Sequence, residues 1–275
     1  MTITCVWRSV SRSSILIVLL GVLVPSAQAE QRPLLTWAIN DAPPFHIVSG
    51  DYQGMGVCDA LIRSVSSKLT QYRHELVQLP QPRIGLLLDR DVPLCFPCMI
   101  HKPEGESRAL YSDPTHYYKP HGIITSRNKA QQLRDRYGAV IPLAEVFADN
   151  RWRFGHPAGR RFGPLQLLIE HAEEHSRHSF SLSGDRGPMA VMAMVAADRL
   201  DFTIDYTMVM NFFNLHHHAQ LELLPIAESG QQSVVGAIGC TNNAWGQQVT
   251  DAINEVLPEV KNDPDFKRAL QLWMQ

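Results

Sequence analysis

The side chains with the most chemical capacity stand in a few short stretches, and most of the reactive combinations they suggest are incomplete. Cys95-Phe-Pro-Cys98 has the spacing of a redox or metal motif. A redox pair of that kind opens a helix, whereas this one lies inside a strand-like apolar run. A zinc site needs a second Cys/His pair at ligand spacing, and neither Cys58 nor Cys240 has such a neighbour. His216, His217 and His218 are consecutive, so their imidazoles do not converge on one ion and read as a solvated loop tip. Met189, Met192, Met194, Met208 and Met210 recur within apolar patterns, where thioethers fill gaps in a core. Glu173 and Glu174 adjoin near a helix end, but successive helical side chains diverge by about 100° and form no catalytic dyad. For acid or base work the candidates are His101, His156 and Asp205, with no nucleophile beside them. Binding is expected, without catalytic residues, cofactor or metal.

The groups suited to holding a ligand are better placed. Residues 155–163 carry Gly155, Gly159 and Gly163 around Arg160 and Arg161 and precede a helix. Such a loop turns backbone N–H groups and a helix N-terminus toward an anion. Asp41 and Phe45 follow the first strand, where open α/β sheets place ligand contacts, and His101 stands at the carboxyl end of the third. Arg108 lies a few residues further on.

To position these groups the chain must alternate strands and helices. Residues 35–40, 74–79 and 94–100 are strand-like. Residues 57–69 are helical, with Val57, Leu61, Val65 and Leu69 every four residues on one face. Residues 82–88 predict a second helix, started by Pro82. A second set follows, with strands at 152–155, 179–182 and 201–206 and helices at 164–175 and 189–198. Residues 117–125, 221–227 and 234–240 are strand-like crossing points between the sets, and helices at 245–260 and 266–273 close the chain over the first lobe. The fold class is therefore α/β with two lobes, each a mostly parallel sheet flanked by helices, joined by crossing strands.

The ends and the bulk set the setting. Residues 1–29 combine Arg8 and Arg12, an apolar run over 15–24 and a small-residue site at Ala27-Gln28-Ala29, the pattern of a secretory signal cleaved before Glu30. Ten apolar residues fall short of the roughly 20 that span a bilayer as a helix, and Glu30 offers no thiol for a lipid. The remaining 246 residues hold 23 basic and 27 acidic side chains, a formal charge of −4. Stable membrane insertion and a nucleic-acid surface are both unexpected. Cys58, Cys95, Cys98 and Cys240 then reside where disulfides persist, and three full pairings are open to them.

Four motifs in order resemble one family: Pro43-Pro44-Phe45 after the first strand, Gly54-Met55-Gly56 before the first helix, Tyr111-Ser112-Asp113-Pro114 with Tyr117-Tyr118 beyond it, and the run from Met194 through Arg199 and Asp201 to Asp205. Over essentially all of the chain after residue 29, the sequence is similar to the family 3 extracellular solute-binding proteins, the periplasmic amino-acid receptors of ABC importers. The resemblance implies a two-lobed type II periplasmic binding protein fold, with lobe 1 at residues 30–122 plus 224–275 and lobe 2 at 123–223. It implies a periplasmic monomer that binds a small polar molecule for an ABC permease or a sensor. Asp205 would accept the ligand's ammonium, with Asp41, Phe45, His101, Arg108, Gly159 and Arg160 as further contacts. The position matching the family's carboxylate-clamp arginine is Gly105, so the clamp is displaced or missing; Arg160 and Arg161 then favour a carboxylated ligand. In the resembled fold the third strand and the return strand adjoin, which implies a Cys98–Cys240 disulfide, with Cys95 as the other partner for Cys240. The alternatives are a periplasmic enzyme of dehydratase type on the same fold and a regulatory domain without a small ligand.

Overall fold

The computed structural model describes residues 1–2, 32–101, 108–184 and 186–274. The expected signal segment beyond its first two residues, and the loop 102–107 that contains Gly105, lie outside the described residues. From the start the chain forms β1 (Leu34–Ile39), α1 (Val57–Lys68), β2 (Arg73–Gln78), α2 (Gln81–Asp89), β3 (Cys95–Ile100), β4 (Ala109–Tyr111) and β5 (His116–Tyr118). It continues through β6 (Gly122–Ser126), α3 (Arg127–Tyr137), α4 (Leu143–Ala148), β7 (Phe154–Pro157), a 3-10 turn at Gly163–Leu165, α5 (Gln166–His175), β8 (Ser179–Leu182), α6 (Gly187–Ala196) and β9 (Phe202–Asp205). The last elements are α7 (Thr207–His217), β10 (Leu221–Pro225), β11 (Val234–Thr241), α8 (Ala244–Val260) and α9 (Pro264–Trp273).

Two mixed sheets result. The first runs β2-β1-β3-β11-β4, with β5 also on β11; β1 is parallel to β2 and β3, and β11 is antiparallel to its neighbours. The second runs β10-β6-β9-β7-β8, with β7 parallel to β8 and β9, and β6 antiparallel to β9 and β10. Parallel neighbours need helical crossovers, which α1, α2, α5 and α6 supply. The chain passes from the first sheet to the second at residues 119–121 and returns at 226–233.

The stripe predicted on α1 is buried as expected: Val57, Leu61, Val65 and Leu69 are enclosed where α1 meets α8 and α9. Full burial of each side chain contributes roughly 1.5–3 kcal/mol. The methionines of α6 and α7 pack in or against the same core. Asn243 caps α8 through Gly246 N–H, and Asp263 caps α9 through Asp265 and Phe266 N–H. Among the described residues no helix is long and apolar enough to cross a membrane.

Two expectations are corrected. His216 and His217 complete the last turn of α7 instead of forming a loop tip. They stack on Phe212 and Phe213, four residues earlier, with ring centroids 3.9 and 4.4 Å apart. The disulfides are Cys58–Cys98 and Cys95–Cys240, not Cys98–Cys240. The strands β3 and β11 do adjoin, but register places Cys95 opposite Cys240, with Cα atoms 4.0 Å apart. Cys98 lies beyond the irregularity between Ala237 and Gly239, has a left-handed φ of 58°, and meets Cys58 on α1 with Cα atoms 5.9 Å apart.

Candidate functional site

The turn after β1 docks on the start of α1. The first N–H groups of a helix have no partner within it, and here Val57 N–H donates to Pro44 O at 3.0 Å and Cys58 N–H to Phe45 O at 2.9 Å. This approach requires Gly56, because a Cβ there would stand 2.2 Å from Phe45 O. Asp59, in the first turn of α1, completes the joint. Its Oδ2 accepts from Gly56 and Ile47 N–H at 3.1 and 3.0 Å, and its Oδ1 lies 2.7 Å from His46 Nδ1. The sequence at 54–59 thereby sets where Phe45 and His46 point. Gly56→Ala is expected to push Phe45 off the helix and lower the melting temperature by several degrees, at about 2–4 °C per kcal/mol for a chain of this size. A scan showing an unchanged midpoint would contradict this.

Phe45 and His46 line a cavity of about 620 Å³ between the two sheets. Its largest wall is α2, where Gln81, Ile84, Gly85, Leu88 and Asp89 fall on one helical stripe. The second-lobe wall carries Gly159, Arg160, Arg161 and Tyr206, and Arg108 and Tyr111 stand on the first-lobe side. Three guanidinium groups from both lobes thus share a wall whose single carboxylate among the described residues is Asp89. Arg108 Nε lies 2.6 Å from Asp89 Oδ1. It crosses α2 at Gly85, where a Cβ would meet Arg108 Nη1 at 2.8 Å. Arg161 is 3.4 Å from Glu170. Burial raises the Tyr111 hydroxyl pKa above its ordinary value, while Arg108 and Arg161 pull it back.

Arg160 is the most enclosed of the three. It pairs with buried Asp205, whose Oδ1 also accepts from Tyr206 N–H at 2.8 Å. Burial raises the Asp205 pKa, and Arg160 opposes that shift. The Arg160 guanidinium lies over Phe45 at 5.2 Å and Tyr206 at 5.6 Å from the ring centroids. Tyr118 and Tyr206 stack at 4.8 Å, and His121, in the crossing segment, stacks on Tyr206 at 4.0 Å. Burial holds the His116 and His121 pKa values down at about 3, so both are neutral at physiological pH.

Phe45, Arg108, Gly159 and Arg160 are therefore brought together on the cavity wall. Asp41, His101 and Asp205 are not among its lining residues. Asp41 joins the lobes elsewhere, with Oδ2 2.8 Å from Arg186 Nε, whose Nη2 donates to Ser49 Oγ. His101 stands edge-on to Tyr111 at 5.7 Å. In the 155–163 loop three N–H groups are taken within the protein: Ala158 N–H donates to Leu182 O, Arg160 N–H to Pro157 O and Phe162 N–H to Gln166 Oε1. Gly159 and the arginines of this loop line the cavity. His156 is 2.7 Å from Glu173 within the second lobe. Ser112 bonds in both directions with Ile238 and so stitches β4 to β11. Sequence reasoning missed Asp59 and His46; an acidic residue three positions after Gly56 at a helix start was the available signal.

No family model and no curated protein sequence matches this chain. Solved structures do. An ancestral arginine-binding protein bound to arginine shares 14% identity and a TM-score of 0.66, over 89% of this chain and 99% of that one. The Salmonella typhimurium periplasmic binding protein STM4351, described for high arginine specificity, shares 14% identity and a TM-score of 0.62, over 89% and 100%. A histidine kinase sensor domain similar to periplasmic binding proteins shares 12% identity and a TM-score of 0.64, over 89% and 96%. At such identities the likeness is one of fold. The fold is the two-lobed one of periplasmic binding proteins, with two helix-flanked sheets and a cavity between them.

Proposed function

We propose that the protein is a periplasmic solute-binding receptor that captures a small carboxylated, amino-acid-like metabolite for an ABC importer or a sensor. Lobe 1 would comprise residues 30–122 and 224–275 and lobe 2 residues 123–223, after loss of a signal at 1–29. The observation that carries this reading is the convergence of Arg108, Arg160 and Arg161 from two lobes on a cavity wall where, among the described residues, Asp89 is the one carboxylate. Each guanidinium offers several N–H donors in a fixed fork, and the known partners leave donors for a carboxylate ligand. A volume of about 620 Å³ suits a small metabolite. Phe45 and Tyr206 supply aromatic faces. In this reading Phe45, Arg108, Gly159 and Arg160 touch the ligand. Asp205 holds Arg160, Asp41 holds Arg186 across the lobes, and His101 backs Tyr111. Likeness to the substrate binding protein of an amino acid ABC transporter supports delivery to an importer, and likeness to the histidine kinase sensor domain supports reporting to a sensor.

A thermal-shift screen against amino acids, dicarboxylates, oligopeptides and neutral sugars tests the reading. Carboxylated amino-acid-like compounds are expected to raise the midpoint, since a ligand at a hundred times its Kd stabilises by about 2.7 kcal/mol. Arg108→Ala should remove most of the shift. A midpoint moved by none of them, or by sugars alone, would overturn the proposal.

A further inference from the structure

Arg160 already engages the carboxylate expected to receive the ligand's ammonium, and Asp205 is not on the cavity wall. A different acceptor is. His46 lines the cavity and is 1% exposed. Its Nδ1 lies 2.7 Å from Asp59 Oδ1. A carboxylate only accepts, so Nδ1 carries the hydrogen of that bond, and in the tautomer this bond selects Nε2 is the ring's acceptor. Among the described residues Nε2 is buried with no hydrogen-bond partner. Asp59 is itself fixed by the N–H groups of Ile47 and Gly56, so the imidazole is held in one orientation.

Apolar groups share this wall. Phe96 lies 6.2 Å from the His46 ring, and Cys58 and Cys98, joined as a disulfide, line the same cavity. An unmet buried acceptor is costly, and a ligand N–H that meets it removes the cost; a ligand without one does not. We infer that His46, oriented by Asp59, accepts a hydrogen bond from the ligand's amino or amide N–H and so selects amine-bearing carboxylates over their deamino counterparts. This assignment rests on the receptor reading above and adds to it a residue that reads the nitrogen end of the ligand, opposite in chemistry to the arginines.

Calorimetric titration of the wild type and of His46→Phe with two probe pairs, L-glutamate with glutarate and L-alanine with propionate, tests it. Within a pair that binds, the wild type is expected to prefer the amine-bearing member by about tenfold or more, the range set by an unmet buried acceptor. His46→Phe is expected to reduce that preference to near unity while leaving the deamino partner's affinity within about twofold. A merely structural role would weaken both members alike. If His46→Phe does not fold, wild-type protein labelled with nitrogen-15 at histidine replaces it: Nε2 of His46 should shift on saturation with the amine-bearing probe and not with its deamino partner. An unchanged preference in His46→Phe, or an unmoved Nε2 resonance, overturns the assignment alone. Failure of the wild type to bind any of the four probes overturns the receptor reading and the assignment with it.

Discussion

Arg160→Ala is expected to cost about 3–5 kcal/mol of stability at neutral pH, and to cost far less in acid. Asp205 is 1% exposed, and Arg160 is the cation that faces it. Removing the cation leaves a buried carboxylate uncompensated, which is more damaging than losing an exposed pair. The contacts of the guanidinium over Phe45 and Tyr206 are lost as well. Burial already raises the folded-state pKa of Asp205, and Arg160 pulls it down, so the variant's value lies higher still. Between the ordinary carboxylate value and that raised value the folded chain binds more protons than the unfolded one, and stability falls as pH rises. The deficit is therefore full above the raised pKa and fades as pH drops toward the ordinary value. Denaturant unfolding near neutrality and near pH 4 reads this directly, and Asp205→Asn in the same chain should restore part of the loss at neutral pH. A deficit below about 1 kcal/mol that does not change with pH would show that Asp205 needs no partner.

Replacing Cys95 and Cys240 together by serine is expected to destabilise by about 5 kcal/mol, against about 4 for Cys58 and Cys98. The first bond closes a sequence separation of 145 residues and the second one of 40, and the longer loop confines the unfolded chain more. Cys95–Cys240 also joins β3 to β11, the return strand that enters the first sheet after the second crossing. Peptide mapping without reduction should recover Cys58 with Cys98 and Cys95 with Cys240. Other pairings, or a larger loss for the shorter loop, would contradict this account.

What was legible in the sequence followed periodicity. The four-residue stripe of α1 was readable from its apolar spacing, and the helices α8 and α9 because each has one buried and one wetted face. The helix α7 was not: Met208, Val209, Met210, Phe212 and Phe213 are buried, but its exposed face includes apolar Leu215 beside Asn211, so apolarity and burial do not coincide. The cysteine pairing failed for a different reason. Adjacency of β3 and β11 was inferable from the resemblance, but the register that sets Cys95 and not Cys98 against Cys240 is fixed beside an irregularity at Ala237–Gly239, and a strand glycine alone does not give the register. In the site, Phe45, Arg108, Gly159 and Arg160 were named and do meet on the wall. Asp205 was named from the resemblance as an ammonium acceptor, and its charge is met by Arg160, a partner 45 residues away in sequence. Neither composition nor spacing reports such a pairing, nor that Gly85 lets Arg108 lie across α2.

The most direct measurement is calorimetric titration of the protein, and of its Arg108→Ala, Arg161→Ala double variant, with L-glutamate at low and high salt. These two arginines are chosen because they stand on the wall while their loss leaves Asp205 paired. One site per chain is predicted, weakened about tenfold or more in the double variant, as for loss of charge-assisted hydrogen bonds, and weakened further by salt in the wild type. Equal affinity in both proteins, or no heat in either, would contradict a cavity built to hold a carboxylate.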